Sequence, residues 1–376
     1  MRIASFNVEN MFSRPRALNP RTRAANRPVL EAFARLQGLL EQPSYSAADK
    51  AAITALLVEL GLGRGDESQW VVLRRSRGQL VRRHRDGTMT VVADGRGDWI
   101  GWLELRKEAV NETATRNSAR VVADVGADVL AVIEAEDRPA LVRFNRDVLP
   151  LGGPDGAPGW LYRHVMVIDG NDDRGIDVGL MTRESQPIAR MRSHVDDRDG
   201  DGDDEVIFSR DCPEYEVLLP GAGQLLVLVN HFKSKGYGAP RRTAAKHHRQ
   251  AQRVAEIYAD RRAEGIEALA VVGDLNDTPD SAALAPLLAD SDLRDVSEHP
   301  AYHSDGRPGT YGTGADKIDY LLLSPALFAE VRAGGVNRSG VWHGPRVRNP
   351  WPMLDTLTAP EEAASDHAAI WADLDV

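Results

Sequence analysis

"VVGDLNDTPDS", residues 271–281, runs two valines and a glycine into Asp274, Asn276 and Asp277 before Pro279 ends the segment. Alone it reads equally as a strand closed by an Asx-type turn or as a buried strand carrying polar groups into a shared cleft. The same form recurs along the chain. "RIASFNVEN" ends in Asn7 and Glu9, "DVLAVIE" in Glu134, and "QLLVLVNHF" near His231. "HVMVID", "DVGLMTR", "YEVLLP", "IDYLLLS" and "AAIWADL" read as further strands, with helices at "NETATRNSARVVADV", "RRTAAKHHRQAQRVAEIYADRRAEG" and "SAALAPLLA". Many strands and few long helices, with connections too short for repeated right-handed crossovers, predict a mixed-sheet α/β fold with helices outside packed sheets.

Residues 14–107 break that pattern. "PVLEAFARLQGLLEQ" and "SAADKAAITALLVELGLG" have helical spacing, the second opened by a Ser46/Asp49 capping box. A strand meander rich in arginine follows, "WVVLRRSRGQLVRRHRDGTMTVVADGRGDWIGWLELR". Alternation there predicts Arg75 and Arg77 on one face, and Arg83 and Arg85 on one face of the next strand. Arg14–Lys107 holds 17 Lys/Arg and 10 Asp/Glu, +7 in a chain of net charge −10, which leaves −17 for the rest. The expectation is one domain over residues 1–376 with a basic helix-plus-strand module, 14–107, inserted in it.

At 376 residues and 42% hydrophobic, the chain is long enough for a large core. No apolar run approaches the roughly 20 residues that span a bilayer, and no leader pattern opens the chain. One cysteine, Cys212, excludes an internal disulfide and a cysteine-based zinc cluster. A cytoplasmic protein without a membrane or a stable protein partner is the expectation.

The polar residues at strand ends are Asn7, Glu9, Glu134, His231, Asp274, Asn276, Asp319, Asp366 and His367. Each alone is better explained as a turn or cap. Together, so many acidic groups repel unless a cation sits among them, and oxygen donors without cysteine favour a hard ion, Mg²⁺ or Mn²⁺. Glu136 lies two residues beyond Glu134, and strand alternation makes it a second candidate ligand.

"FNVEN", "DVLAVIEAE", "VNHFKSKG", "GDLND", "KIDYLLLS" and "ASDHAAI" occur in the order and spacing of the endonuclease/exonuclease/phosphatase superfamily, which the chain resembles over residues 1–13 and about 109–376. The group includes DNase I-like nucleases, abasic-site endonucleases, inositol polyphosphate phosphatases and neutral sphingomyelinases. "IDVGLMTR" and "SRDCPEYEV" look most like its bacterial nuclease-type members. The resemblance implies a DNase I-like four-layered α/β sandwich, two packed mixed sheets flanked by helices. It implies metal binding by Glu134 with Asn7, Glu9 and Asp366, and positioning of nucleophile and phosphate by Asp274 and Asn276. It makes His367, oriented by Asp319, the acceptor of the water proton, and gives His231 either a hydrogen bond to phosphate or proton delivery to the leaving group. "FNVEN" lacks the tryptophan and Asp-Gly continuation of abasic-site endonucleases, and Ile133 stands where many members have glutamine.

The basic run after His231 adds Lys233, Lys235 and Arg241 as expected substrate contacts. Asp197, Asp199, Asp201, Asp203 and Glu205 alternate like the start of a calcium loop, but a plain acidic loop is the simpler reading. The expected activity is metal-dependent phosphodiester hydrolysis, by a nuclease acting on DNA or RNA. The alternative is a phosphatase or phosphodiesterase acting on a small phosphorylated molecule or lipid headgroup.

Overall fold

The computed structural model describes the chain apart from residues 10, 20–22, 154–160, 173, 201–204, 222 and 236–239 and the side chains of 23, 24 and 240–242. The chain divides into two compact units, one of them Ser13–Ala109 and the other Met1–Phe12 with the chain from Val110 onward.

Among the described residues of the larger unit, a seven-stranded sheet has the order Tyr302–His303, Val331–Asn337, Ala369–Leu374, Arg2–Asn7, Val129–Ala135, Asp177–Thr182, His164–Ile168. A six-stranded sheet has the order Ile188–Arg192, Glu214–Leu219, Gly223–His231, Leu269–Asp274, Asp319–Leu323, Arg294–Asp295. Both mix parallel and antiparallel pairs. Period-two alternation then builds the layers. Ile3, Val129, Ala131 and Ile133 of the first sheet share one core with Val227, Val229, Val272 and Leu321 of the second. The residues between them face the other way, Phe6, Leu130 and Val132 onto the helix Glu112–Val125 and Leu228, Val271 and Leu322 onto the helix Pro240–Ala263. Strands covered on two faces read as unbroken apolar runs, which is the form the sequence shows. The result is a four-layered α/β sandwich.

Continuing the same alternation past the apolar residues positions the polar ones. Asn7 follows Ile3 and Ser5, His231 follows Val229, Asp274 follows Val272, and Asp319 precedes Leu321. All four therefore project between the sheets at one end of the shared core. Register aligns them further, since His231 lies opposite Asp274 and Asp274 opposite Asp319 on adjacent strands. The glycine before Asp274 is required by this packing. Gly273 has φ +131°, and a Cβ there would stand 1.9 Å from the Asn230 carbonyl oxygen.

In the unit Ser13–Ala109, the helices Arg23–Leu40 and Ala47–Glu59 pack on strand pairs Val71–Gly78 with Trp99–Leu105 and Val81–Arg83 with Met89–Val91. The Ser46/Asp49 capping box is formed. The first helix begins earlier than its apolar spacing predicts and runs through Pro28. The predicted faces of the arginines change for a physical reason. A bulge at Ser76 shifts the register from Arg75↔Gly101 to Arg77↔Ile100, so Arg75 and Arg77 face opposite sides. Arg83 turns inward, donating to the carbonyls of Leu62 and Gly65 and to Asp66.

Candidate active site

Among the described residues, four non-glycine positions have positive φ, and three of them are Glu9 (48°), Glu134 (67°) and Asn276 (52°). A left-handed backbone costs an L-residue about 1–2 kcal/mol, so the coincidence with strand-end polar residues marks imposed geometry. At Glu134 the cause is a bulge. Pairing with the Asp177–Thr182 strand passes from Asp177↔Ala135 to Val178↔Ile133 and skips Glu134. The bulge also overturns the alternation that put Glu134 and Glu136 on one side. Glu136 instead accepts the backbone N–H groups of Met11 (3.1 Å) and Phe12 (2.6 Å), fastening the chain after the first strand.

The remaining side chains converge. His367 Nδ1 stands 2.9 and 3.1 Å from the two Asp319 carboxylate oxygens. Asp319 is fixed in turn by Thr310, whose hydroxyl donates to Oδ2 at 2.6 Å and accepts from the Asp319 N–H. The far nitrogen of His367 lies 3.5 Å from Asn7 Nδ2, 3.8 Å from Asp274 Oδ2 and 3.7 Å from Asp366 Oδ1. Asp274 Oδ2 accepts from Asn7 and from Asn276, each at 3.1 Å. His231 Nε2 completes the set, 3.5 Å from Asp274 Oδ2 and 3.7 Å from Glu134 Oε1. Glu9 is tied in through its backbone N–H, which donates to Asn7 Oδ1 at 3.0 Å.

Burial sets the electrostatics. Desolvation, with Asp319 and Glu134 nearby, pushes the Asp274 carboxyl up to about 7 against the pull of His367. Burial alone would lower His367, but Asp319, Asp274 and Asp366 outweigh it and hold the imidazole well above its ordinary value. His231 goes the other way, held well below by burial, Arg210 and Arg174. Asp274, Asp319, Asp366 and Glu134 bring carboxylates close to His231 and His367, and oxygen donors dominate. That donor set fits a hard divalent cation. Ligand atoms of Asp274, Asp319 and His367 also lie within 4.8 Å of one another, a group that could hold a metal.

Beside His231 the expected Lys233 is joined by two arginines absent from the expected site, Arg174 and Arg210. Asp172 accepts from Arg174 at 2.7 Å and pairs with Arg210 at 2.9 Å, and the two guanidinium groups hold it well below the usual carboxylate range despite burial. Arg210 is 2% exposed, donates to the Phe232 carbonyl, and has no hydrogen-bond partner at Nη2 among the described residues. Burial, Arg174 and Arg210 bring the Lys233 ammonium down to about 8. The sequence signal was faint, because an arginine in "FSRDCPEY" reads as a loop residue until the fold buries it. Thr310 in "GTYGTG" carried no signal at all.

The other expected contacts are differently engaged. Lys235 is ion-paired with buried Asp277, which also accepts from Ser281 at 2.6 Å and lies 3.3 Å from His247 Nδ1. The side chain of Arg241 lies outside the described residues. Further along that helix, Arg249 pairs with Asp199 and Glu205, and Arg253 with Asp197, so the acidic stretch answers the basic helix. Asp201 and Asp203 lie outside the described residues. Trp351 packs with Val341 and Ala368 and donates to the Val341 carbonyl, a core role.

A family model described as the Endonuclease/Exonuclease/phosphatase family matches residues 108–367. No curated protein matches the chain. Among solved structures, it is similar to an endonuclease/exonuclease/phosphatase family protein of Bacteroides thetaiotaomicron, 17% identical over 69% of this chain and 86% of that one, with a TM-score of 0.48. A mannosyl-6-phosphatase of the same organism is 13% identical over 70% and 92%, TM-score 0.47. The human Nocturnin catalytic domain is 15% identical over 71% and 87%, TM-score 0.47.

Proposed function

Because the chain belongs to the endonuclease/exonuclease/phosphatase family and is accordingly a hydrolase of phosphoester bonds, we propose that its substrate is a nucleic acid, cut by metal-assisted attack of water. The observation that carries the chemistry is the buried chain Thr310–Asp319–His367 aimed at Asp274 and Asn7. With Nδ1 spent on Asp319, His367 has Nε2 left to take a proton from water. Asp274 Oδ2, fixed by Asn7 and Asn276, accepts that water's other hydrogen. Glu134 with Asn7, Glu9 and Asp366 would hold a hard divalent cation, Mg²⁺ or Mn²⁺, which when bound would supply positive charge to the phosphoryl oxygens and offset the carboxylates that raise His367. Burial, Arg210 and Arg174 shift His231 toward its neutral form, which favours a hydrogen bond over delivery of a full proton. Its role is therefore on a phosphoryl oxygen. Lys233, Arg174 and Arg210 meet the anionic substrate from the same side.

The preference for a polynucleotide rests on the basic unit Ser13–Ala109. The Lys233–Arg174–Arg210 group supports a second reading, a phosphatase, since several cations beside one carboxylate suit the dianion of a monoester. A buried, unpaired Cys212 is compatible with a cytoplasmic site of action, and no helix among the described residues is long and apolar enough to cross a membrane. The test is a panel of single- and double-stranded DNA, RNA, bis-p-nitrophenyl phosphate and inositol phosphates with Mg²⁺, Mn²⁺ or EDTA. Cutting of a polynucleotide that EDTA abolishes is expected. Hydrolysis of phosphomonoesters with DNA and RNA left intact would replace the nuclease with the phosphatase.

A further inference from the structure

The strand pair Val71–Gly78 and Trp99–Leu105 has a covered face and an open one. Leu73, Trp99, Leu103 and Leu105 enter the core of the unit Ser13–Ala109. The open face is fixed by register, with Arg74 opposite Trp102 and, after the Ser76 bulge, Arg77 opposite Ile100. Trp102 is 51% exposed and Ile100 45% exposed, unusual values for large apolar side chains on a strand. Arg74 is held beside Trp102 by Glu104 at 2.8 Å. The Arg77 side chain is exposed and makes no ion pair or hydrogen bond among the described residues. Between Val71 and Arg85 the chain has six arginines and no carboxylate.

An exposed indole with Arg74 opposite it in register and Arg77 opposite the neighbouring Ile100 matches one kind of partner by chemistry. Bases stack on an exposed aromatic whatever their identity, and arginines spaced along the strand meet the backbone phosphates. In a duplex the base faces are already stacked on each other, so the indole has nothing to receive there. We propose that the outer face of this ribbon, Arg74, Arg77, Ile100 and Trp102, is a stacking platform for a single-stranded polynucleotide. The bulge has a part in this, because without it Arg77 would turn toward the covered face. Arg82 and Arg85, next along the chain, are also exposed. The platform rests on the nuclease reading and narrows its substrate to single strands.

The test is fluorescence anisotropy of a labelled thymidine oligonucleotide, and of a duplex of equal length, titrated with the full chain in EDTA at several salt concentrations. Trp102→Ala should weaken single-strand binding about tenfold to a hundredfold, and Trp102→Phe should recover most of it. Arg77→Gln should flatten the log–log salt slope by about 0.7. Thermal unfolding of each variant checks the fold, which a half-exposed side chain should leave unchanged. If the parent binds the strand in EDTA and cuts it when Mn²⁺ is supplied, while Trp102→Ala binds equally well, the platform is wrong and the nuclease reading stands. Tighter binding of the duplex overturns the platform in the same way. A parent that binds neither form overturns both.

Discussion

Asp319→Asn keeps the shape of the side chain that orients His367 and removes its charge. The carboxylate is buried, sits 2.9 and 3.1 Å from Nδ1, and takes a 2.6 Å hydrogen bond from Thr310, so the substitution changes one well-fixed interaction. A hydrogen bond to a charged group contributes about 1.5–3 kcal/mol, which converts to a fall in kcat of roughly 10- to 150-fold. The loss is larger if the amide presents its NH₂ group to Nδ1, because the ring proton then moves to Nε2, where water's proton should go. The pH dependence has a definite sign. Asp319 is the leading charge that raises His367, so its removal lowers that imidazole, and the acid limb of the rate profile should move to lower pH. Steady-state hydrolysis of bis-p-nitrophenyl phosphate from pH 5 to 9 measures both effects. His367→Ala combined with Asp319→Asn should be no worse than His367→Ala alone. If the double variant shows the product of the single losses, or the limb does not move, the pairing does not serve the reaction.

Glu134→Gln should weaken Mn²⁺ binding in isothermal titration with thermal unfolding unchanged; parental affinity would remove Glu134 from the metal site. Gly273→Ala should cost on the order of 3 kcal/mol in chemical denaturation, because its Cβ meets the Asn230 carbonyl and φ is positive. A midpoint equal to the parent's would show that the strand end tolerates the shift. Burial and the neighbouring arginines bring Lys233 down to about 8, so KM should rise as pH passes that value and the contact loses its charge. Lys233→Met should raise KM at pH 7 and flatten that rise, whereas a KM unchanged by the substitution would place Lys233 off the substrate.

The apolar runs were legible because the central strands are buried on both faces, so "LLVLVN", "LAVVG" and "YLLL" show no polar interruption until the cleft. Their polar ends were legible for the same reason. Alternation failed where the backbone departs from it, at the Glu134 and Ser76 bulges, since a one-residue insertion leaves no mark in residue type. The strand Ile188–Arg192 was not read, its edge position leaving "IARMR" exposed and unpatterned. "VRAGGVN", Val331–Asn337, hides its strand behind two glycines. Arg210 and Thr310 find partners 22 and 9 residues away, and Arg210 also pairs with Asp172 on another segment, contacts that only the folded sheets create.

The most direct measurement is single-turnover cleavage of an end-labelled single-stranded oligonucleotide by the parent and by His367→Ala, in Mn²⁺ and in EDTA, with binding followed in parallel. The parent should cut in Mn²⁺ and not in EDTA. His367→Ala should bind the strand as the parent does and cut it about 100-fold or more slowly, the usual share of general-base catalysis. A His367→Ala chain that cuts at the parental rate would place the chemistry away from the buried Thr310–Asp319–His367 chain.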